Sequence, residues 1–193
     1  MSFNPKSPET VDLLLRRRSA KARRLCEPGP SEQELGQILQ AGMRVPDHGK
    51  LTPWQFLVVR GKAQTKLGQV IYEAYSEETD DAGSEKHESW RAYPSQAPLL
   101  IITISRPSDA RPIPQWEQRL SAGAACQNMV LAAHAMGYLV NWLTGWPAYS
   151  PGVRAALELG PDDRIAGFLF IGSYKEKLKE RPRPDFDDVV KFL

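Results

Sequence analysis

A chain of 193 residues, 41% of them hydrophobic, can close one core and is too short for two, so residues 1–193 are read as a single domain. Its 25 basic and 23 acidic residues leave a formal charge of +2, which excludes the broad positive field of a protein that tracks nucleic-acid phosphates. A polar start and the lack of any run near ~20 apolar residues predict a soluble, cytoplasmic protein without a membrane partner, and two distant cysteines, Cys26 and Cys126, predict reduced structural thiols.

Ser7-Pro8-Glu9 opens the first predicted helix, because a hydroxyl caps free amides, proline tolerates the first turn and an acid suits the positive helix end. Val11, Leu14 and Leu15 give it one apolar face, and Arg16, Arg17 and Arg18 follow at the end where the helix dipole favours cations. Ser31 and Glu34 form a capping-box pattern for a second helix with Leu35, Ile38, Leu39 and Met43 on one side, ended by Pro46. Phe56 to Val59 reads as a short strand, after which Leu67, Val70, Ile71 and Ala74 recur at helical spacing. From Ser76 to Glu88 the chain is acidic and poor in apolar residues, which predicts a solvated loop.

Leu99 to Ile104 is a continuous apolar run, as in a strand covered on both faces. Beyond the proline-rich stretch Pro107 to Pro114, the Ala-rich segment Ser121 to Met136 is apolar on nearly all sides, with Gly137 as a stop, and is the expected central buried helix. Leu139 to Trp142 reads as a strand, Ser150-Pro151 opens a short helix toward Leu159, Ile165 to Ile171 is another strand, and the tail from Lys175 is charged. About four strands alternating with helices, without repeats, predict an α+β or α/β sandwich.

The chain carries no Walker glycine loop, no Gly-x-Gly-x-x-Gly, no His-Glu-x-x-His and no Gly-x-Ser-x-Gly. His48, His87 and His134 lack the spacing of a metal-ligand set, so no metal is expected. The first positive signal is Arg16-Arg17-Arg18-Ser19-Ala20-Lys21, since guanidinium groups grip a phosphate with paired, charge-assisted hydrogen bonds and a neighbouring hydroxyl adds another. The competing reading is a solvated basic helix end, which composition alone favours. The second signal is the polar loop from Arg44 to Phe56, which runs from a helix into a strand through Pro53-Trp54.

Arg-Arg-Ser after the first helix, Ala41-Gly42-Met43-Arg44-x-Pro46, and Pro53-Trp54-x-Phe56 together resemble the nitroreductase family, in particular its minimal-sized members. The likeness continues through Ala97-Pro98-Leu99, Ser121-Ala122-Gly123, Gly137 to Gly145 and Gly167 to Gly172, so it covers essentially the whole chain. It implies an α+β fold with a central, mainly antiparallel sheet flanked by helices, paired as an intertwined homodimer that holds FMN noncovalently at the subunit interface.

By the same resemblance, Arg17, Arg18 and Ser19 contact the FMN phosphate and ribityl chain, and Lys21 approaches the flavin ring, where a cation stabilises the charge of the reduced form. Arg44 and His48 belong to the loop that reaches the flavin from the partner subunit, although an ordinary loop hydrogen bond serves His48 equally well. Trp142, Leu143 and Thr144 lie against the isoalloxazine, with a core role as the alternative for each. Arg181 and Arg183 match a C-terminal basic pair that completes phosphate binding in larger members, with plain solvation as the alternative. Trp90, Tyr93 and Trp116 are candidates to cover the flavin face, against buried packing. Thr52 and Leu143 depart from the family pattern at positions that tune ring hydrogen bonding.

The implied activity is a two-step exchange in which NADH or NADPH reduces FMN and a small-molecule electron acceptor, such as a nitroaromatic or quinone, then reoxidises it. No side chain is needed as a nucleophile or acid, and a nicotinamide that visits the flavin briefly needs no dinucleotide-binding loop. The competing expectations are a flavoprotein of this fold with another reaction (dehalogenation or flavin breakdown), a basic binding module without cofactor, and a structural dimer that has lost FMN.

Overall fold

Ser31 and Glu34 exchange the two hydrogen bonds of a capping box, 3.3 Å from Glu34 N to Ser31 Oγ and 2.8 Å from Ser31 N to Glu34 Oε2, and so fix the start of helix α2 (Glu32–Gly42). The computed structural model describes residues 5–81 and 83–193. Helix α1 (Pro8–Arg16) begins after Ser7 as the sequence predicts, but the Ser7 hydroxyl bonds Thr10 Oγ1 at 2.7 Å and caps no amide. Its apolar side chains Val11, Leu14 and Leu15 point outward and are 55%, 47% and 78% exposed.

Four strands, β1 (Trp54–Val59), β2 (Leu99–Ser105), β3 (Leu139–Leu143) and β4 (Arg164–Gly172), form one sheet in the order β1-β2-β4-β3, antiparallel throughout. The apolar run on β2 is buried at every position because helices cover both faces. Leu100, Ile102 and Ile104 pack with Phe168, Phe170 and Ile71 on one side; Leu99 and Ile101 pack with Ile38, Met129 and Leu169 on the other. The register slips between Thr103 and Ile104, which pair with Gly167 and Ile165, so Ala166 is the extra residue of a β-bulge.

The expected loop over 76–88 is mostly helix. Helix α3 (Lys62–Glu78) runs on to Glu78, and α4 (Glu85–Arg91) starts at Ser84, whose hydroxyl accepts from His87 N at 3.0 Å. The acidic surface hides a buried anchor: His87 stacks on Tyr72 with ring centroids 3.8 Å apart, accepts from Gly83 N and meets Tyr72 O. One imidazole with both nitrogens satisfied gives this polar segment the core contact that composition conceals.

Helix α5 (Gln115–Ala135) is the expected central helix, but it starts six residues earlier. The cause is Gln118, which is buried and bonds Ser108 N, Ser108 O and Ile113 O, tying the proline-rich stretch onto the first turn. Helix α5 packs on α2 and across β2, β3 and β4, while α3, α4 and the short α6 (Pro151–Ala156) lie on the other layer. A last turn, α7 (Phe186–Val189), sits in an exposed tail. No helix among the described residues is long and apolar enough to cross a membrane.

Candidate functional site

Helix α1 ends because Arg17 leaves helical geometry (ψ 140°), and the three arginines there take different partners. Arg16 turns back to Asp12 one helical turn earlier. Arg17 is half-buried; its Nη2 donates to Ser19 Oγ at 3.1 Å, and its Nε is buried without a partner. Arg18 reaches across 162 residues to Glu180 Oε1 at 2.8 Å, and Arg183 donates to the same oxygen at 3.4 Å. Burial, followed by the charges of Arg183 and Arg18, lowers the Arg17 pKa from its usual value. The backbone N–H of Arg181, and then Arg18, hold the Glu180 carboxyl below the usual carboxylate range. Two guanidiniums thus share one carboxylate while Arg17, whose pKa their charges help lower, has none, and an oxyanion is the partner such an excess lacks.

Arg16, Arg17 and Arg18 border a cavity of about 330 Å³ lined also by Leu13, His134, Tyr138 and Leu178, among others. His134, in the last turn of α5, is buried, and its Nε2 accepts from Val140 N at 3.3 Å. Burial, and then the Arg17 charge, push its pKa down to about 4, so the ring is neutral, with the proton on Nδ1, near neutral pH. That Nδ1 is also buried without a partner. Two N–H donors without acceptors beside a positive cavity fit a phosphate monoester of the kind the sequence led us to expect.

The Arg-Arg-Ser loop is pinned to the sheet edge by Asn141, whose Nδ2 donates to Ala20 O. No strand pairs with the outer edge of β3 among the described residues, and Val140 N faces that edge toward His134, so the backbone polar groups of Trp142, two residues on, face it too. The Trp142 indole lies across β4, and its Nε1 donates to the bulged Ala166 O at 3.0 Å. A side chain at Gly167 would run into that indole, so glycine there is what lets the ring lie flat. Leu143 packs into the core, and Thr144 O accepts from Tyr93 OH at 3.3 Å. Lys21 is exposed, one residue beyond the pinned Ala20.

The second predicted group lies elsewhere. Asp47 accepts from Leu51 N and Thr52 N, both at 3.0 Å, and bends the loop so that Gly49, Lys50 and Thr52 adopt φ of 72°, 56° and 51°. For a β-branched residue such as Thr52 this conformation is strained. Arg44 O accepts from Asn128 Nδ2 at 2.9 Å, while its side chain is exposed. His48 Nδ1 meets Glu117 Oε2 at 2.7 Å on the first turns of α5. Glu117 and His134 are seventeen residues apart on one helix, roughly 26 Å at about 1.5 Å per residue.

The fold therefore brings Arg17, Arg18, Ser19 and Arg183 to one end of α5, with the β3 edge beside them, and leaves Arg44 and His48 at the other. Arg181 contributes its backbone N–H to Glu180, and its side chain is exposed. Tyr93 is buried and Trp90 half-buried in packing, whereas Trp116 is 67% exposed on the first turn of α5. Sequence reasoning missed Glu180, Asn141 and His134. His134 had been weighed only as a metal ligand, and no group of metal-binding side chains occurs among the described residues. A His one turn before a helix-stop glycine is the one signal the sequence offers for it.

The model of the nitroreductase family matches residues 14–173. The chain is 38% identical over 166 residues to "Putative NAD(P)H nitroreductase YdjA" of Escherichia coli strain K12, spanning 86% of this chain and 88% of that one. It is 34% identical over 188 residues to "Putative NAD(P)H nitroreductase" of Haemophilus influenzae, spanning 96% of this chain and all of that one. Among solved structures, a nitroreductase-like family protein from Bacillus cereus superposes with a TM-score of 0.82 at 22% identity, covering 98% of both chains. A nitroreductase with bound FMN from Bacteroides fragilis superposes at 0.73 and 23% identity, covering 97% of this chain and all of that one. These likenesses establish the expected α+β fold.

Proposed function

This chain belongs to the nitroreductase family, and on that premise we propose that it is a homodimeric, FMN-dependent oxidoreductase that uses NADH or NADPH to reduce small-molecule acceptors such as nitroaromatics and quinones. One observation carries the reading: Arg18 and Arg183 share a single carboxylate with Arg17 close beside them, at a cavity where two buried N–H donors lack acceptors. Bound there, FMN would supply the redox chemistry, taking hydride from the nicotinamide and passing the electrons to the acceptor.

The chain's own residues position and polarise. Arg17, Arg18, Ser19 and Arg183 hold the phosphate, with Glu180 drawing Arg18 and Arg183 together on one carboxylate oxygen. Arg181 belongs to this end through its backbone N–H. The free edge of β3 offers the backbone groups of Trp142 to the polar edge of a ring, with Leu143 and Thr144 continuing that strand end. Lys21, beside the pinned Ala20, brings positive charge to the same edge, where reduced flavin gathers negative charge.

Two features support the dimer. Val11, Leu15, Trp116 and Leu120 leave apolar surface exposed on α1 and α5. The separation between the arginine end and the Arg44–His48 loop means one subunit does not bring both to the same ligand, whereas a second copy running the opposite way can.

Purified protein tests the reading directly. Flavin absorbance released on denaturation, bleaching under NADH or NADPH without oxygen, and recovery on adding a nitroaromatic or quinone are the expected results, with a dimer by light scattering. Colourless protein that takes up no added FMN would overturn it.

A further inference from the structure

His134 is not among the residues that the family likeness led us to assign, yet the structure sets it at the floor of the arginine cavity. Its two ring nitrogens have separate circumstances. Nε2 is used: it accepts the Val140 N–H at 3.3 Å, which latches the end of α5 to the free-edge strand. Because Nε2 is an acceptor, the proton of the neutral ring sits on Nδ1, and Nδ1–H has no partner. Arg17 Nε–H is in the same condition, and both side chains line the same cavity.

A buried donor without an acceptor costs about 1–3 kcal/mol, and of the six buried side-chain polar atoms without a partner among the described residues, these two belong to side chains that line one cavity. The other cavity-lining polar groups have partners: Arg16 meets Asp12, Arg18 meets Glu180, and Tyr138 OH meets Glu34 Oε2 at 3.0 Å. The unfilled hydrogen-bonding capacity is therefore concentrated in His134 and Arg17.

We propose that His134 is a binding residue of the phosphate site, whose Nδ1–H, together with Arg17 Nε–H, completes the receptor for the phosphate monoester and so favours FMN over riboflavin. This role rests on the FMN reading above. A neutral imidazole suits it, since it adds a directed N–H without a fourth positive charge among Arg17, Arg18 and Arg183. The tautomer is set by the Val140 latch, so the strand edge that would meet the ring and the pocket that would hold the phosphate are joined through one side chain.

The test compares the two flavins on full-length protein stripped of cofactor, by quenching of flavin fluorescence. Wild type is expected to bind FMN more tightly than riboflavin. His134→Phe, which keeps the ring's bulk and removes both nitrogens, should weaken FMN roughly tenfold more than riboflavin, which feels the lost Val140 latch alone, as loss of a charge-assisted hydrogen bond to the phosphate requires. His134→Gln, able to accept from Val140 N and donate from its amide, should recover most of the preference. In wild type labelled with nitrogen-15 histidine, the protonated Nδ1 resonance should shift on adding FMN and stay put on adding riboflavin.

An equal loss for both flavins in His134→Phe, or an unmoved Nδ1 signal, would reduce His134 to a latch and overturn the proposal while FMN binding stands. Wild type that binds neither flavin would overturn the FMN reading itself. Should His134→Phe fail to fold, the Gln variant and the wild-type resonance still decide.

Discussion

The two ends of α5 carry the two halves of the candidate site, and they are built in opposite ways. At the C-terminal end, Arg17 and Arg18 are half-buried, Glu180 and Arg183 arrive from the far end of the chain, and His134 is fixed from below. At the N-terminal end, Arg44 and His48 are exposed on a loop held in left-handed geometry, with the Glu117 contact as the one side-chain bond of His48 among the described residues. The first end is finished within one chain; the second presents groups outward. The contrast is what the proposed ligand site, shared between two subunits, would require: a receptor on one chain, and an arm directed to it from the other.

The largest expected effect sharpens that contrast. Arg17→Ala combined with Arg183→Ala removes two charge-assisted contacts of about 1.5–3 kcal/mol each, so FMN affinity should fall by roughly a hundredfold or more. His48→Ala should cost about tenfold or less, and an equal loss at both ends would break the distinction. Gly167→Ala comes next: the added methyl displaces the Trp142 indole and its bond to Ala166 O, a disturbance of about 1–3 kcal/mol. The melting temperature should drop and Trp fluorescence should shift; an unchanged melt would mean the flat indole contributes nothing to the C-terminal end.

Acidification should also act at that end. The folded chain keeps His134 neutral down to about 4, against 6.5 for a free histidine, because of burial and then Arg17. The unfolded chain takes the proton first as pH falls, so this contribution is complete above about pH 6.5 and is lost progressively toward pH 4. Denaturant titrations across that window should show the loss, and His134→Gln should flatten it. The smallest effect belongs to the other end. Thr52→Asn puts a residue that tolerates φ near 51° in place of a strained one and should raise stability by about 1 kcal/mol or less, with little change in flavin affinity. A large affinity loss would show that the threonine side chain itself reaches the ligand.

Much of the scaffold could be read from neighbouring residues. The Ser31/Glu34 box, the Leu99–Ile104 run and the Ser150-Pro151 start all reappear as built, because caps, turns and strand burial leave patterns a few residues long. Where local patterns misled, a distant partner was responsible. The segment after Ser76 read as loop because nothing in its acidity reveals His87 stacked on Tyr72, and α5 began early because Gln118 satisfies a loop ten residues back.

The sequence by itself determined the order of the four strands and of the helices except α4 and α7, the arginine cluster after the first helix and the family likeness, all of which are properties of residues close in the chain or of their order along it. Tertiary structure alone decided that Arg183 joins Arg18 over Glu180, that His134 underlies Arg17, and that His48 stands a helix length away. Contacts between residues more than a hundred positions apart leave no local period to read, since they arise when separately formed helices and strands bury their apolar faces together.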